Sequence, residues 1–256
     1  MADNDGRPPL SGPEKLSQVV AELRRNIEET LQSEGFPLFV CDLDGTLVDH
    51  TLRTLMIFRR APQEIELPDW LVTKLQGTDL DSFGYHPAQS LKEMGVAGEE
   101  LERLVAFWDR NFFANDFLPF DRPIRKGVEF VNRLLELGVG TVFLTGRDRP
   151  RMGKGTIDWL AKYGLLDQNK KTSLLMKEDL ALSNAEAKMV AIGKIKGLGR
   201  PVLIADNEPI ELKKVWAEFP SAQGVLLKTP FSGVHAELPE STLVIGDFEE
   251  IDKKLR

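Results

Sequence analysis

The sequence predicts an α/β protein: a doubly wound parallel sheet with an all-helical segment inserted after its first strand. Three observations carry this. Short apolar runs without polar alternation recur along the chain, helical stretches separate them, and residues from about His50 to Phe120 break the rhythm with helix-period patterning alone. An apolar run that lacks alternation suits a strand buried on both faces, as in a parallel sheet. Strands alternating with helices of this length imply βαβ units.

Residues 1–12 are polar and read as a mobile lead-in. Ser11 followed by Glu14 fits a capping box, and Leu16, Val19, Val20, Leu23, Ile27 and Leu31 then fall on one helical face. That helix is expected to run to about Ser33, where Gly35 and Pro37 end it, and to pack on the edge of the core. Leu38 to Cys41 is the first strand, and Asp42-Leu43-Asp44-Gly45 is its exit turn. Further strands are expected at Thr141 to Leu144, Ser173 to Met176 and Val202 to Ala205, with shorter ones at Gly224 to Leu227 and Leu243 to Ile245. The intervening helices are Val128 to Leu137, Gly155 to Tyr163, Asn184 to Lys196 and Pro209 to Glu218. Within the interruption, Glu99 to Phe113 aligns Leu101, Leu104, Val105, Trp108 and Phe112, while Leu52, Leu55 and Met56 begin a similar stripe. Pro119, Pro123 and Gly127 mark the return to the sheet. The expected division is a core domain from residues 1–50 and 121–256, with the N-terminal helix on it, and a helical domain from residues 51–120.

Composition narrows the function. The 256 residues carry 33 basic and 40 acidic side chains, a net charge of −7, and 42% are apolar, enough for a substantial core. An acidic chain is a poor partner for nucleic acid or an anionic membrane surface. No run reaches the roughly 20 apolar residues of a membrane span, and MADNDGRPPL lacks the basic-then-apolar order of a secretion signal. One cysteine, Cys41, leaves no intrachain disulfide and no cysteine zinc site. A soluble, cytoplasmic protein is the expectation.

In an open parallel sheet, ligands bind beyond the carboxyl ends of the strands. The residues just after each apolar run are Asp42 and Asp44; Thr145, Gly146 and Arg147; Lys177; and Asp206, Asn207 and Glu208. Carboxylates can hold a divalent metal, while a hydroxyl, backbone amides and an ammonium neutralise phosphoryl oxygens. The inventory suits phosphate chemistry. Asp42 and Asp44, two apart at a strand end, lie on one side. Each feature also has a plain structural reading: aspartate and glycine are common in exit turns, threonine caps helices, and most lysines are solvated.

The ordered set FVCDLDGTLVD, VFLTGR, a lysine and VLIADNEP resembles the haloacid dehalogenase (HAD) superfamily of phosphatases and phosphomutases over about residues 36–228. The resemblance implies a Rossmann-like core with a helical, C1-type cap. It implies that Asp42 is the nucleophile, forming an aspartyl-phosphate, and that Asp44 is the general acid and then the base that activates water. Magnesium would be held by Asp42, the Asp44 carbonyl and Asp206, with Asn207 as a ligand or a partner of metal-bound water. Thr145 and Gly146 would hold a phosphoryl oxygen, and Arg147 would assist in binding substrate. Lys188 is favoured as the active-site lysine, with Lys177 as the alternative or a supporting residue. Asn207 stands where commoner patterns carry a second acid, which puts metal affinity in question, and Glu208 can serve the helix that opens at Pro209.

The implied function is a magnesium-dependent phosphatase of a small phosphorylated metabolite. The alternatives are a phosphomutase acting on a sugar phosphate and a non-catalytic protein that keeps the fold for binding. The stretch Arg147 to Arg151 is expected to be a loop that concentrates positive charge, either to grip a second substrate anion or simply as a solvated run. His50, His86 and His235 lack metal-ligand spacing, and Trp70, Phe83, Tyr85, Trp108, Phe112 and Phe113 either line a substrate pocket or pack.

Overall fold

A computed structural model describes residues 6–33, 35–166, 171–182 and 184–255, the side chains of 184 and 185 excepted. The strands are β1 (Pro37–Cys41), β2 (Val48–Asp49), β3 (Arg122–Pro123), β4 (Gly140–Asp148), β5 (Thr172–Lys177), β6 (Arg200–Asp206), β7 (Gln223–Leu227) and β8 (Leu243–Ile245). The helices are α1 (Pro13–Gln32), α2 (Thr51–Glu64), α3 (Asp69–Gln76), α4 (Pro87–Glu93), α5 (Gly98–Phe112), α6 (Gly127–Glu136), α7 (Arg149–Lys162), α8 (Asn184–Leu198), α9 (Pro209–Glu218) and α10 (Glu249–Leu255). Short 3₁₀ turns at Leu80–Ser82 and Asn115–Phe120 complete the insertion.

Six strands form one parallel sheet in the order β5-β4-β1-β6-β7-β8. Apolar side chains on both faces explain the unalternating runs. Phe39, Cys41, Phe143, Leu203 and Val225 face one layer with α1, α6 and α10. Leu38, Val40, Val142, Leu144, Ile204 and Leu226 face the other with α8 and α9. The insertion has its own apolar cluster, with Leu55, Phe58, Leu71, Leu91, Leu104 and Phe107 buried together. The chain leaves and re-enters the sheet side by side, because β2 and β3 pair antiparallel with Val48 opposite Pro123.

Local chemistry differs from expectation at two places. Ser11 caps nothing: its N–H donates to the Val244 carbonyl (2.8 Å) and its Oγ accepts from the Val244 N–H (3.0 Å), so it extends the β8 edge. Gly12 is the N-cap of α1, with Pro13 at the first helical position. Part of the expected mobile lead-in is tied down, since Arg7 Nη1 donates to the Thr229 carbonyl (2.7 Å), while residues 1–5 lie outside the described residues. Secondly, β4 runs on through Thr145-Gly146-Arg147-Asp148, and α7 begins at Arg149 rather than near Gly155. The start signal is Asp148, whose carboxylate accepts from the Arg151 N–H (2.8 Å), with Pro150 in the first turn. The arginine-rich stretch is therefore a strand end and a helix start, not a loop.

Candidate active site

The site follows from strand order. β4, β1 and β6 are neighbours, and adjacent strands lie about 4.8 Å apart. Residues at their carboxyl ends must therefore meet within roughly 10 Å of one another. Asp42, whose N–H donates to the Ala205 carbonyl (3.0 Å), continues β1. Thr145 lies in β4, and Asp206 closes β6. They line one cavity of about 660 Å³ together with Asp44, Gly146, Arg147 and Lys188. Its other wall comes from the insertion and the loop after β7, with Tyr85, Val105, Trp108, Phe113 and Val234 among the contributors.

Asp42 and Asp206 are buried acids set against each other. Burial, then the charge of Asp206, pushes the Asp42 carboxyl well above its usual range, against the pull of Lys188. Burial likewise lifts Asp206 to about 6, opposed by Lys188 and by the Glu208 N–H, which donates to its Oδ1 (2.9 Å). Lys188 answers them. Burial disfavours its charge, yet Asp206 (3.7 Å), Asp42 and Glu211 (2.7 Å) together hold the ammonium above its ordinary pKa. Lys177 ends β5 beside Asp148 and does not line the cavity.

Asp44 has a different environment. Arg147 grips it bidentately, Nε to Oδ2 (2.7 Å) and Nη2 to Oδ1 (2.6 Å), and Arg53 Nη2 donates to Oδ1 as well (2.7 Å). Asp121 closes the network, accepting from Arg53 Nε and Arg147 Nη2, both at 2.8 Å. Burial alone would raise the Asp44 carboxyl, but the two guanidinium groups hold it far below the usual range. Arg147 also reaches Thr156 Oγ1 (3.2 Å), which leaves its guanidinium engaged by the protein rather than turned to a ligand. Arg149 and Arg151 face Glu178 and Asp148, and neither lines the cavity.

Asn207 is turned away from the two acids. Its amide donates to the Pro230 carbonyl (2.7 Å), and its oxygen accepts from Thr46 Oγ1 (3.4 Å). It fills the space that a Cβ on Gly45 would need, and Gly45 itself sits at φ +83°. Glu208 accepts from the Ser232 N–H (2.7 Å), from Ser232 Oγ (2.6 Å) and from the Tyr85 hydroxyl, so Tyr85 on the insertion is fastened to the sheet side. His86 Nε2 lies 3.0 Å from the Ser232 carbonyl beside it.

Arg53 and Asp121 escaped the sequence reading. Arg53 follows Leu52 in a helix patterned for burial, and its side chain is 0% exposed. Nothing in the sequence connects it to Asp121, 68 positions away. A charged residue within the first turn of a buried stripe was the one available signal.

A parallel α/β sheet with a helical insertion over its carboxyl edge defines the class. Neither any protein-family model nor any curated protein matches the sequence. Solved structures do. Protein Tyrosine Kinase A of Mycobacterium tuberculosis matches at 16% identity and a TM-score of 0.57, covering 87% of this chain and 99% of that one. A predicted phosphoglycolate phosphatase from Haemophilus somnus matches at 15% and 0.53, over 86% and 98%. A HAD-superfamily hydrolase, subfamily IA, variant 1, from Geobacter sulfurreducens matches at 15% and 0.51, over 87% and 98%. The chain thus has the fold of HAD-superfamily proteins, a Rossmann-like core with a helical cap. Among the described residues, no helix is long and apolar enough to cross a membrane.

Proposed function

We propose that this protein is a magnesium-dependent phosphatase of small phosphorylated molecules, working through an aspartyl-phosphate on Asp42. The observation that carries the reading is the convergence of Asp42, Asp44, Thr145, Lys188 and Asp206 on one cavity. The core is read as residues 1–50 and 121–256, and residues 51–120 as a cap of the C1 type that covers the substrate.

The donor set is compatible with magnesium. Among the described residues, no group of three or more His, Cys, Asp and Glu side chains is arranged to hold a metal ion. Magnesium does not need one: it binds through one or two carboxylates, keeps several waters, and takes substrate phosphate oxygens. Asp42 and Asp206 are two buried acids whose mutual repulsion a divalent cation relieves, with the Asp44 carbonyl as a third donor. Asn207 is left out of this set because its amide is committed to Thr46 and Pro230. When bound, the metal supplies charge neutralisation between the anionic nucleophile and the phosphoryl group.

An Asp42 carboxylate oxygen attacks phosphorus as the bond to the leaving oxygen breaks; that oxygen keeps the bonding pair and takes a proton through Asp44, which recovers one in the next step. Thr145 and the neighbouring N–H groups receive one phosphoryl oxygen, and Lys188 offsets charge from the Asp206 side. A water then attacks the aspartyl-phosphate, giving its proton to Asp44 and regenerating Asp42. The Asp44 carboxylate, held ionised by Arg147 and Arg53, is suited to accept that proton. The same clamp opposes its role as proton donor to the leaving group. Arg53 rides on the cap, so cap movement changes the clamp, whereas Arg147 stays with the sheet. A phosphomutase must also hold a second phosphate, and among the described residues the arginine and lysine that line the cavity, Arg147 and Lys188, are already paired.

Purified protein, given magnesium and a broad panel of phosphomonoesters, is expected to release phosphate, and Asp42→Asn to abolish that release. No turnover of any phosphomonoester by the wild type removes the proposal; specific binding of a protein partner without turnover then favours the non-catalytic reading.

A further inference from the structure

The outer half of the cavity differs in chemistry from its floor. Tyr85, Val105, Trp108, Phe113, Ile210 and Val234 supply rings and aliphatic groups there. Trp108 stacks obliquely on Phe112, centroids 4.5 Å apart, and meets Phe113 edge-on at 6.5 Å, so the rings form a connected wall. Most polar side chains between floor and wall are bonded to one another, the exception being His50, whose Nδ1 is buried with no hydrogen-bond partner among the described residues. Glu208 accepts from Ser232 and Tyr85, and Glu211 accepts from Lys188 and Lys214. Arg147 spends its Nε and both Nη atoms on Asp44, Asp121 and Thr156. Beyond Asp42 and Asp206 at the phosphoryl site, the described residues that line the cavity offer no uncommitted arginine or lysine for a second anion and no uncommitted carboxylate for a cation. Apart from the imidazoles of His50 and His86, what remains for a leaving group to touch is apolar and largely aromatic.

We propose that the leaving group this cavity accepts is uncharged and aromatic, so that the substrate class is the phosphate ester of a phenol-like ring. The inference rests on the phosphatase reading in seating the phosphoryl group at Asp42 and Thr145. A ring stacked against Trp108 and Phe113 gains offset and edge-to-face contacts. A carboxylate or second phosphate loses its hydration there with no free cation in return. An ammonium meets acids that are already paired. A polyhydroxylated sugar buries most of its hydroxyls against side chains that offer no partner, since the orphaned His50 Nδ1 can serve only one of them. A volume of about 660 Å³ lies within the roughly 300–1,000 Å³ of small-molecule sites and admits a ring of this kind.

Phosphonates separate recognition of the leaving group from its reactivity. Binding of phenylphosphonate, methylphosphonate, phosphonoacetate and 2-aminoethylphosphonate to the full chain with magnesium is measured by titration calorimetry. Phenylphosphonate is expected to bind about tenfold more tightly than methylphosphonate, as a pair of aromatic contacts provides. Phosphonoacetate and 2-aminoethylphosphonate are expected to gain nothing over methylphosphonate. Trp108→Leu and, independently, Phe113→Leu should each shrink the phenyl advantage to less than about threefold, with a thermal melt showing that the variant is folded. A phenyl advantage below twofold in wild type overturns the proposal, as does an anionic or cationic phosphonate that binds as tightly as the phenyl one. So does an advantage that survives in both folded variants. These outcomes are independent of catalysis. Turnover of sugar phosphates without a phenyl preference sinks the aromatic class alone, whereas absence of all turnover sinks the phosphatase reading and leaves the binding result to stand or fall separately.

Discussion

Replacing Arg53 with methionine tests whether the four-residue network holds the cap on the sheet. The guanidinium donates to Asp121 (2.8 Å), Asp44 (2.7 Å) and the Phe112 carbonyl (3.1 Å), and lies 4.1 Å over the Phe112 ring. Two arginines balance two aspartates, so the change leaves a buried excess of negative charge. Breaking a buried ion pair from one side costs about 3–5 kcal/mol. The Asp121 arm takes that figure undiminished, because both side chains are 0% exposed. The Asp44 arm is discounted, because Asp44 keeps 28% exposure to the cavity and water screens it. Methionine also preserves part of the packing. The expected loss is about 3 kcal/mol, or about 6–12 °C in Tm for a chain of this size. Urea unfolding followed by tryptophan fluorescence measures it. Pairing the change with Asp121→Asn restores charge balance around Arg147, so the double variant should lose less than the sum of the singles by at least about 1 kcal/mol. A loss under about 1 kcal/mol for Arg53→Met, or strict additivity, refutes the idea that the network is a cooperative clasp.

Four further outcomes are expected. Asp206 binds its proton more tightly folded than unfolded, since its carboxyl is raised from 3.8 to about 6. The stability this contributes is complete below about pH 4 and is lost as pH rises through about 6; Tm of metal-free protein should fall across that window, and Asp206→Asn should flatten the fall. The depressed Asp44 acts in the opposite sense, its contribution lost only in strong acid, below this window. Lys188→Met leaves Asp42, Asp206 and Glu211 without their shared cation, so phosphate release should drop by at least about a hundredfold; retention of a tenth of wild-type kcat would show that Lys188 is peripheral. Gly45→Ala forces a side chain onto a backbone at φ +83° and into Asn207, at an expected cost of about 2–3 kcal/mol. A Cβ on Gly146 meets no protein atom within 4 Å, so Gly146→Ala should change Tm by less than about 1 °C while lowering activity if phosphate approaches that backbone.

The unalternating runs specified the sheet because a strand covered on both sides has no solvent face on which to carry polar residues. Phe39 and Val40 point to opposite layers and both are buried. Placement of Asp42, Thr145 and Asp206 was legible for the same reason: the end of a buried strand is where polarity begins, and strand adjacency draws such ends together. The Arg147 segment was harder. Asp148 and Pro150 have the chemistry of a helix start, a signal passed over in reading the charge run around them as a loop, and the strand's extension to Asp148 depends on pairing with Lys177.

By itself, then, the sequence determined the α/β class, the insertion and the set of acids at the strand tips, all of which follow from local periodicity and strand-end position. Tertiary structure alone decided that Asp44 is clamped by Arg53 and Arg147, that Asn207 faces Gly45 and Pro230, and that Tyr85 is fastened to Glu208. Those contacts join residues far apart in the chain through single side-chain hydrogen bonds. Such bonds have no periodicity and leave no pattern in the order of the residues, only in the way the packed elements bring them face to face.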